Sequence, residues 1–338
     1  MPRIGLILLL GLAMTTAAGP RPIQASTAPG GLLLVANKGD HTLGIIDPQE
    51  SRPLATVEES GVTGHEVIAS PDGRTAYVPI YGDSGVGRPG TDGRTLDVID
   101  IASGRRVATI DFGRPERPHC PLFGADGRLY VTTELTNTVT VIDPKTRQIV
   151  DRIPTGQPES HMLALTRDGK RAYTSNVGVG TVSAIDLVAR KVLAVIPVSG
   201  RAQRISLSVD DRLLFTADQT QPRLAVIDAA TNRLKQWVSL PGIAYGTAPT
   251  PDGRRLLITI LGVNGLGVLD LPSLELSRTI SVPKAPQEVV VRPDGRFAYV
   301  SCDQSHQVAV VDLETWKVDK LIEAGSLADG LAWAVARP

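Results

Sequence analysis

Three of the five histidines in this 338-residue chain fall at a repeated position. Seven residues before the aspartate of each "PDG"-like phrase stand His65, His119, His161, Gln203, Tyr245 and Gln287. Asp329 takes the same place in the last, incomplete repeat, and from His119 onward the spacing is 42 residues each time. Neutral imidazoles beside a carboxylate are ligands for a divalent transition metal. His65, His119, His161 and Asp329 are therefore a candidate set for Zn²⁺ or Cu²⁺. The same polar residues with Arg204 also suit a small polar ligand, because converging polar groups in a concavity are where ligands bind. Glu66, Arg117, Glu159 and Arg201 lie beside the set in sequence. No "GxSxG" nucleophile elbow occurs, so a serine hydrolase of that kind is not indicated.

These residues lie far apart in sequence, so a repeat must gather them. An apolar pair followed by aspartate recurs at Asp47, Asp100, Asp143, Asp186, Asp228, Asp270 and Asp312. A second phrase recurs at Asp72, Asp126, Asp168, Asp210, Asp252 and Asp294, as in "SPDGRTAYV" and "RPDGRFAYV". Between them run short stretches rich in β-branched and aromatic residues, broken by turn residues. Four strands per period of about 42 residues is the pattern of a β-propeller blade. Seven phrases predict an all-β, seven-bladed propeller of four-stranded blades over residues 30–338. The described repeats start on a second strand, "LLLVAN", and finish on a first strand, "LADGLAWAV". The N-terminal strands are therefore expected to pair with the C-terminal strand and close the ring. The repeated aspartates read as turn formers, since seven copies spread round a ring cannot meet one substrate. His41 and His306 fall in loops between second and third strands, so all five histidines are expected on one end of the disc.

The phrases "PDGRFAYVS", "RDGKRAYTSN" and "TVSAID" resemble the YVTN-type β-propeller repeat, a relative of WD40 and lactonase-type propellers. The asparagine that closes that motif stands here as Asn37 and Asn176, but is replaced in the other repeats. The resemblance implies a seven-bladed fold and fits several functions. One is a non-catalytic binding or interaction protein that holds a small molecule or another exported protein on its histidine-bearing mouth. A second is an enzyme of lactonase type, with His as general base and Arg holding a carboxylate, or a redox-associated propeller akin to the heavy subunits of periplasmic amine dehydrogenases. A third is a periplasmic metal-binding protein.

Other features limit the field. Basic and acidic residues balance at 35 each, which gives no footprint for nucleic acid. Residues 1–25 read as a cleaved secretory leader: Arg3, then a short apolar run, then small residues. A periplasmic or secreted mature chain without a membrane span follows as an expectation. Cys120 and Cys302 fall on well-separated repeats, which argues against a bridge. "GVGRPG" at 85–90 matches the glycine pattern of a dinucleotide loop. Such a loop must open a helix, whereas here a strand follows and Pro89 interrupts it. The stretch reads instead as an insertion, 83–94, between the second and third strands of blade 2, lying over the channel mouth.

Overall fold

The β-branched runs form strands because each is flanked by a turn that aspartate and glycine set. In the "PDG" turns the aspartate Oδ1 accepts a hydrogen bond from the backbone N–H two residues on: Asp126 from Arg128, Asp210 from Arg212, Asp252 from Arg254. The second set does the same, as Asp143 with Lys145 and Asp312 with Glu314. Both aspartate families are thus turn formers.

A computed structural model describes residues 30–335. Its strands make seven four-stranded antiparallel sheets, six of them in sequential order. Blade 1 is completed across the termini: Ala328–Val335 is its inner strand and pairs with Gly31–Asn37, from Gly31↔Val335 to Asn37↔Ala328. The ring is closed as the repeat arithmetic requires, so no open sheet seam is left. The proposed leader lies outside the described residues. Among the described residues no helix is long and apolar enough to cross a membrane.

The second and third strands of every blade are almost wholly buried and carry the core, which lies between neighbouring sheets. Cys120 and Cys302 are free and buried in two of these layers. The fourth strands alternate exposed and part-buried residues, as in Gln148–Pro154 and Lys191–Pro197.

The inner strands bear on function. They run Pro118–Phe123, Ser160–Leu165, Ala202–Leu207, Ala244–Pro249 and Pro286–Val291 in blades 3 to 7. Each has a register break immediately after its first residue, and so does Ala328–Val335. A bulge of this kind frees side chains from the ladder and re-aims them. The freed residue is His119, His161, Gln203, Tyr245, Gln287 or Asp329, the repeated position noted in the sequence.

A hydroxyl pins this bulge in three blades. Thr259 Oγ1 accepts the Gly246 N–H of its own blade at 2.6 Å and donates to the Gln287 carbonyl of the next at 2.7 Å. Thr132 does the same between Cys120 N–H and His161 O, and Ser301 between Glu288 N–H and Asp329 O. Thr259→Val leaves a buried donor and a buried acceptor unpaired. It should cost about 1–3 kcal/mol in a urea titration. Thr216→Val is the control, because the buried Thr216 hydroxyl makes no hydrogen bond and should cost far less.

Candidate functional site

The ring residues gather at one mouth in two tiers. The upper tier is the repeated position itself. His119 and His161 stack with ring centroids 3.6 Å apart and planes tilted by 32°. His65 meets His119 edge-on at 5.4 Å. It precedes the short inner strand Ile68–Ala69 of blade 2 and follows a bridge from Gly64 to Ile80. Further round, Gln203 Nε2 donates to the Tyr245 hydroxyl at 3.0 Å. These contacts join residues of the repeated position from neighbouring blades.

Tyr81 and Glu134 were not anticipated. Tyr81 is fully buried and contacts all three histidines, with centroids 4.8, 5.1 and 5.7 Å from His65, His119 and His161. Its hydroxyl donates to Glu134 Oε2 at 2.6 Å, and His161 Nδ1 lies 3.3 Å from the same oxygen. Arg117 Nη1 holds Glu134 Oε1 at 3.0 Å, and Arg117 Nε holds Asp92 at 2.6 Å. Burial opposes the charge on Glu134, but the bonds from His161, Tyr81 and the Gly87 N–H bring its carboxyl down to about 2. Burial and Glu134 raise the Tyr81 phenol well above its usual range.

The glycine-rich insertion covers this half of the mouth. The strands extend to Gly82 and resume at Asp92, so the loop is 83–91 and residues 92–94 belong to the third strand. The boundary differs from the expected 83–94 because Gly82 pairs with Asp92 across the ladder. Gly87 N–H donates to Glu134 Oε1 at 3.3 Å, and Arg117 Nη2 donates to the Arg88 carbonyl at 2.7 Å. Gly87 has φ +68°, a left-handed conformation that favours glycine, and it lies against the Glu159 carboxylate. A cleft of about 420 Å³ between the loop and blades 3 and 4 is lined by Arg88, Arg117, Glu134 and Glu159, among others. Replacing 83–91 by a two-residue Asn-Gly turn should leave the fold intact and expose His161. Faster modification of His161 by diethylpyrocarbonate, read by peptide mass, checks this.

The lower tier uses Glu66, Arg204 and Glu288, each one residue beyond the repeated position, joined by Asp329 from that position itself. There Arg204, in blade 5, reaches across the axis to Glu66 of blade 2 at 2.8 Å and to Asp329 of blade 1 at 3.0 Å. It also pairs with Glu288 of blade 7. Lys38 Nζ caps the other Asp329 oxygen at 3.3 Å. Tyr245 lies under the guanidinium, 5.1 Å from its centre. Burial pushes the Glu66 carboxyl up to about 8 against the pull of Arg204. Asp329, equally buried, stays below its usual range because Lys38 and Arg204 both face it. Counting one residue on from the repeated position would have revealed Glu288 beside Glu66 and Arg204. Nothing in the sequence marks Tyr81 or Glu134, which come from the insertion-bearing hairpin and the 3₁₀ turn of blade 3.

The metal reading does not find its cage. Asp329 spends its oxygens on Lys38 and Arg204, and His119 and His161 lie face against face. Among the described residues no three His, Cys, Asp or Glu are arranged to hold an ion. His41 and His306 lie at the same end of the disc but are exposed, each at a left-handed turn residue between second and third strands.

Burial pulls His65 from 6.5 down to about 3 and holds His119 well below its usual value. Both are neutral when folded, while the unfolded chain takes up protons below about 6.5. Their contribution to stability is therefore complete above that pH and is lost as pH falls toward 3. His65→Gln should make the acid limb of a Tm-against-pH curve shallower between those values.

Fold and site together define a seven-bladed β-propeller with a polar, histidine-bearing mouth. The family model of the cytochrome D1 heme domain matches residues 123–259, less than half of the chain. No curated protein matches. Among solved structures, Kuenenia stuttgartiensis hydrazine synthase is similar at 19% identity and TM-score 0.72, over 89% of this chain and 97% of that one. A functionally unknown protein from Desulfotomaculum acetoxidans DSM 771 is similar at 13% identity and TM-score 0.75, over 91% and 99%. At these identities the likeness concerns the fold.

Proposed function

We propose that this protein is an exported binding propeller of the YVTN type that holds a small polar ligand, or a partner, at its histidine-bearing mouth. The observation that carries the reading is the repeated bulge. Six inner strands use it to free one polar side chain each at a common mouth, beside an ion network that includes Asp329. Among these residues His65, Gln203 and Tyr245 keep part of their surface open to solvent. A rigid ring with a polar concavity is a platform for ligand binding and demands no catalysis.

A second reading, a redox-associated propeller, is favoured by the family match and by the likeness to hydrazine synthase. The residues present do not fit a heme. The imidazoles are packed against one another and Tyr81, and Arg204 with its carboxylates fills the axis beneath them. Titration with hemin, followed in the Soret region, separates the readings. The first expects no saturable spectrum. It also expects a small polar compound to raise Tm in the parent protein and fail to do so in Gln203→Ala. A stoichiometric hemin complex lost in His65→Ala would favour the second.

A further inference from the structure

In the open half of the mouth acids outnumber bases. Arg204 and Lys38 face Glu66, Glu288 and Asp329, and Asp303 is close enough to Lys38 and Asp329 to feel both. Arg204 is spoken for at both Nη atoms, and Lys38 lies on Asp329. The Arg204 guanidinium cannot turn toward an incoming anion without leaving these buried carboxylates, which is costly; Lys38 is part-exposed, and around it carboxylates outnumber cations. Beside this network stand His65, Gln203, Tyr245 and Gln287, the first three part-exposed. All four are uncharged, and Gln203 is already bonded to the Tyr245 hydroxyl. Arg201 and His306 stand outside this tier, at the start of blade 5 and on the exposed turn of blade 7.

From this arrangement we infer that the mouth takes an uncharged polar ligand, such as a polyol, an amide or a lactone, and turns away carboxylates. The inference rests on the reading of the mouth as a ligand site and adds its selectivity. An anion placed over Asp329, Glu288 and Asp303 meets like charge at short range in a poorly screened site. Amides, phenol and neutral imidazole instead offer donors and acceptors to hydroxyl and carbonyl groups. Binding of the uncharged ligand is accordingly insensitive to salt.

Saturation-transfer NMR on the full chain with matched pairs tests this: D-glucose with D-glucuronate, propionamide with propionate, and γ-butyrolactone with 4-hydroxybutyrate. The expected result is transfer to at least one neutral member, lost in Gln203→Ala, with its anionic twin weaker by about tenfold or more. Asp329→Asn removes one buried carboxylate and should narrow that gap. Lys38→Met removes a cation at a part-exposed site and should widen it or leave it, which keeps the test alive if Asp329→Asn fails to fold. Equal or better transfer to an anion, through Arg201 or otherwise, overturns the selectivity while leaving the ligand site standing. No transfer to any neutral member overturns the ligand site and the selectivity with it.

Discussion

Deleting residues 328–338 should abolish the sharp unfolding transition of this protein. The segment contributes the inner strand of blade 1, which is hydrogen-bonded to Gly31–Asn37 along its length. Without it that strand becomes an open edge, and blades 7 and 2 lose the inner neighbour between them. Asp329 leaves Lys38 and Arg204, and the Ser301 hydroxyl loses its acceptor. Trp333 leaves its stack on Tyr299 and its bond to the Gly30 carbonyl. The buried Ala328, Leu331, Ala332 and Ala334 go too. A loss of this kind is comparable with the whole net stability of a typical domain, about 5–15 kcal/mol. Circular dichroism on heating should show a broad, early loss of signal, and a synthetic peptide of residues 328–338 added in excess should restore cooperativity. A truncated chain that still melts sharply within about 5 °C of the parent would mean that ring closure contributes little.

Arg204→Met should be the most damaging single substitution at the mouth. The guanidinium is 3% exposed as a residue and faces three carboxylates. Removing it leaves Glu66, Glu288 and Asp329 together in a site that water reaches poorly. Breaking a buried pair by deleting one partner costs about 3–5 kcal/mol. At this chain length the fall in Tm is about 5–8 °C. Removing the charges together should cost much less than removing one alone. Arg204→Met combined with Glu66→Gln and Glu288→Gln should therefore recover most of the loss, with Asp329 still paired to Lys38. If the triple variant is no better than Arg204→Met, the guanidinium acts through shape and packing, and the charge account is wrong.

Both predictions depend on how a linear repeat becomes a ring. The repeat itself is plain in the sequence because every blade must solve the same problem. Each needs a turn-setting aspartate and a buried pair of central strands, and six of the seven add a register shift at the start of the inner strand. That common solution made the fold, the closure and the mouth positions of His119, His161, Gln203, Tyr245, Gln287 and Asp329 readable by counting. Glu66 and Arg204 were visible as charges beside the ring, but not as partners, since no spacing links blade 2 to blade 5 across an axis.

Where the chain departs from its own period, counting stops working. Tyr81 and Glu134 come from the irregular hairpin of blade 2 and a turn of blade 3, and they meet the histidines only because loop 83–91 folds over them. Its glycines match a dinucleotide loop on paper, and a β-hairpin gives them another use, with Gly87 fitting against Glu134 and Glu159. The candidate metal set meets the same limit. Spacing brought four candidate ligands to one mouth, but only packing decided that two imidazoles would stack and that Asp329 would bind cations of the protein itself. The sequence by itself determined the number of blades, the closure and the identity of the ring, because those follow from local turns and a fixed period. The tertiary structure alone decided which ring residues pair, which are covered and which stay open to a ligand, because those outcomes depend on charges and rings meeting across the axis.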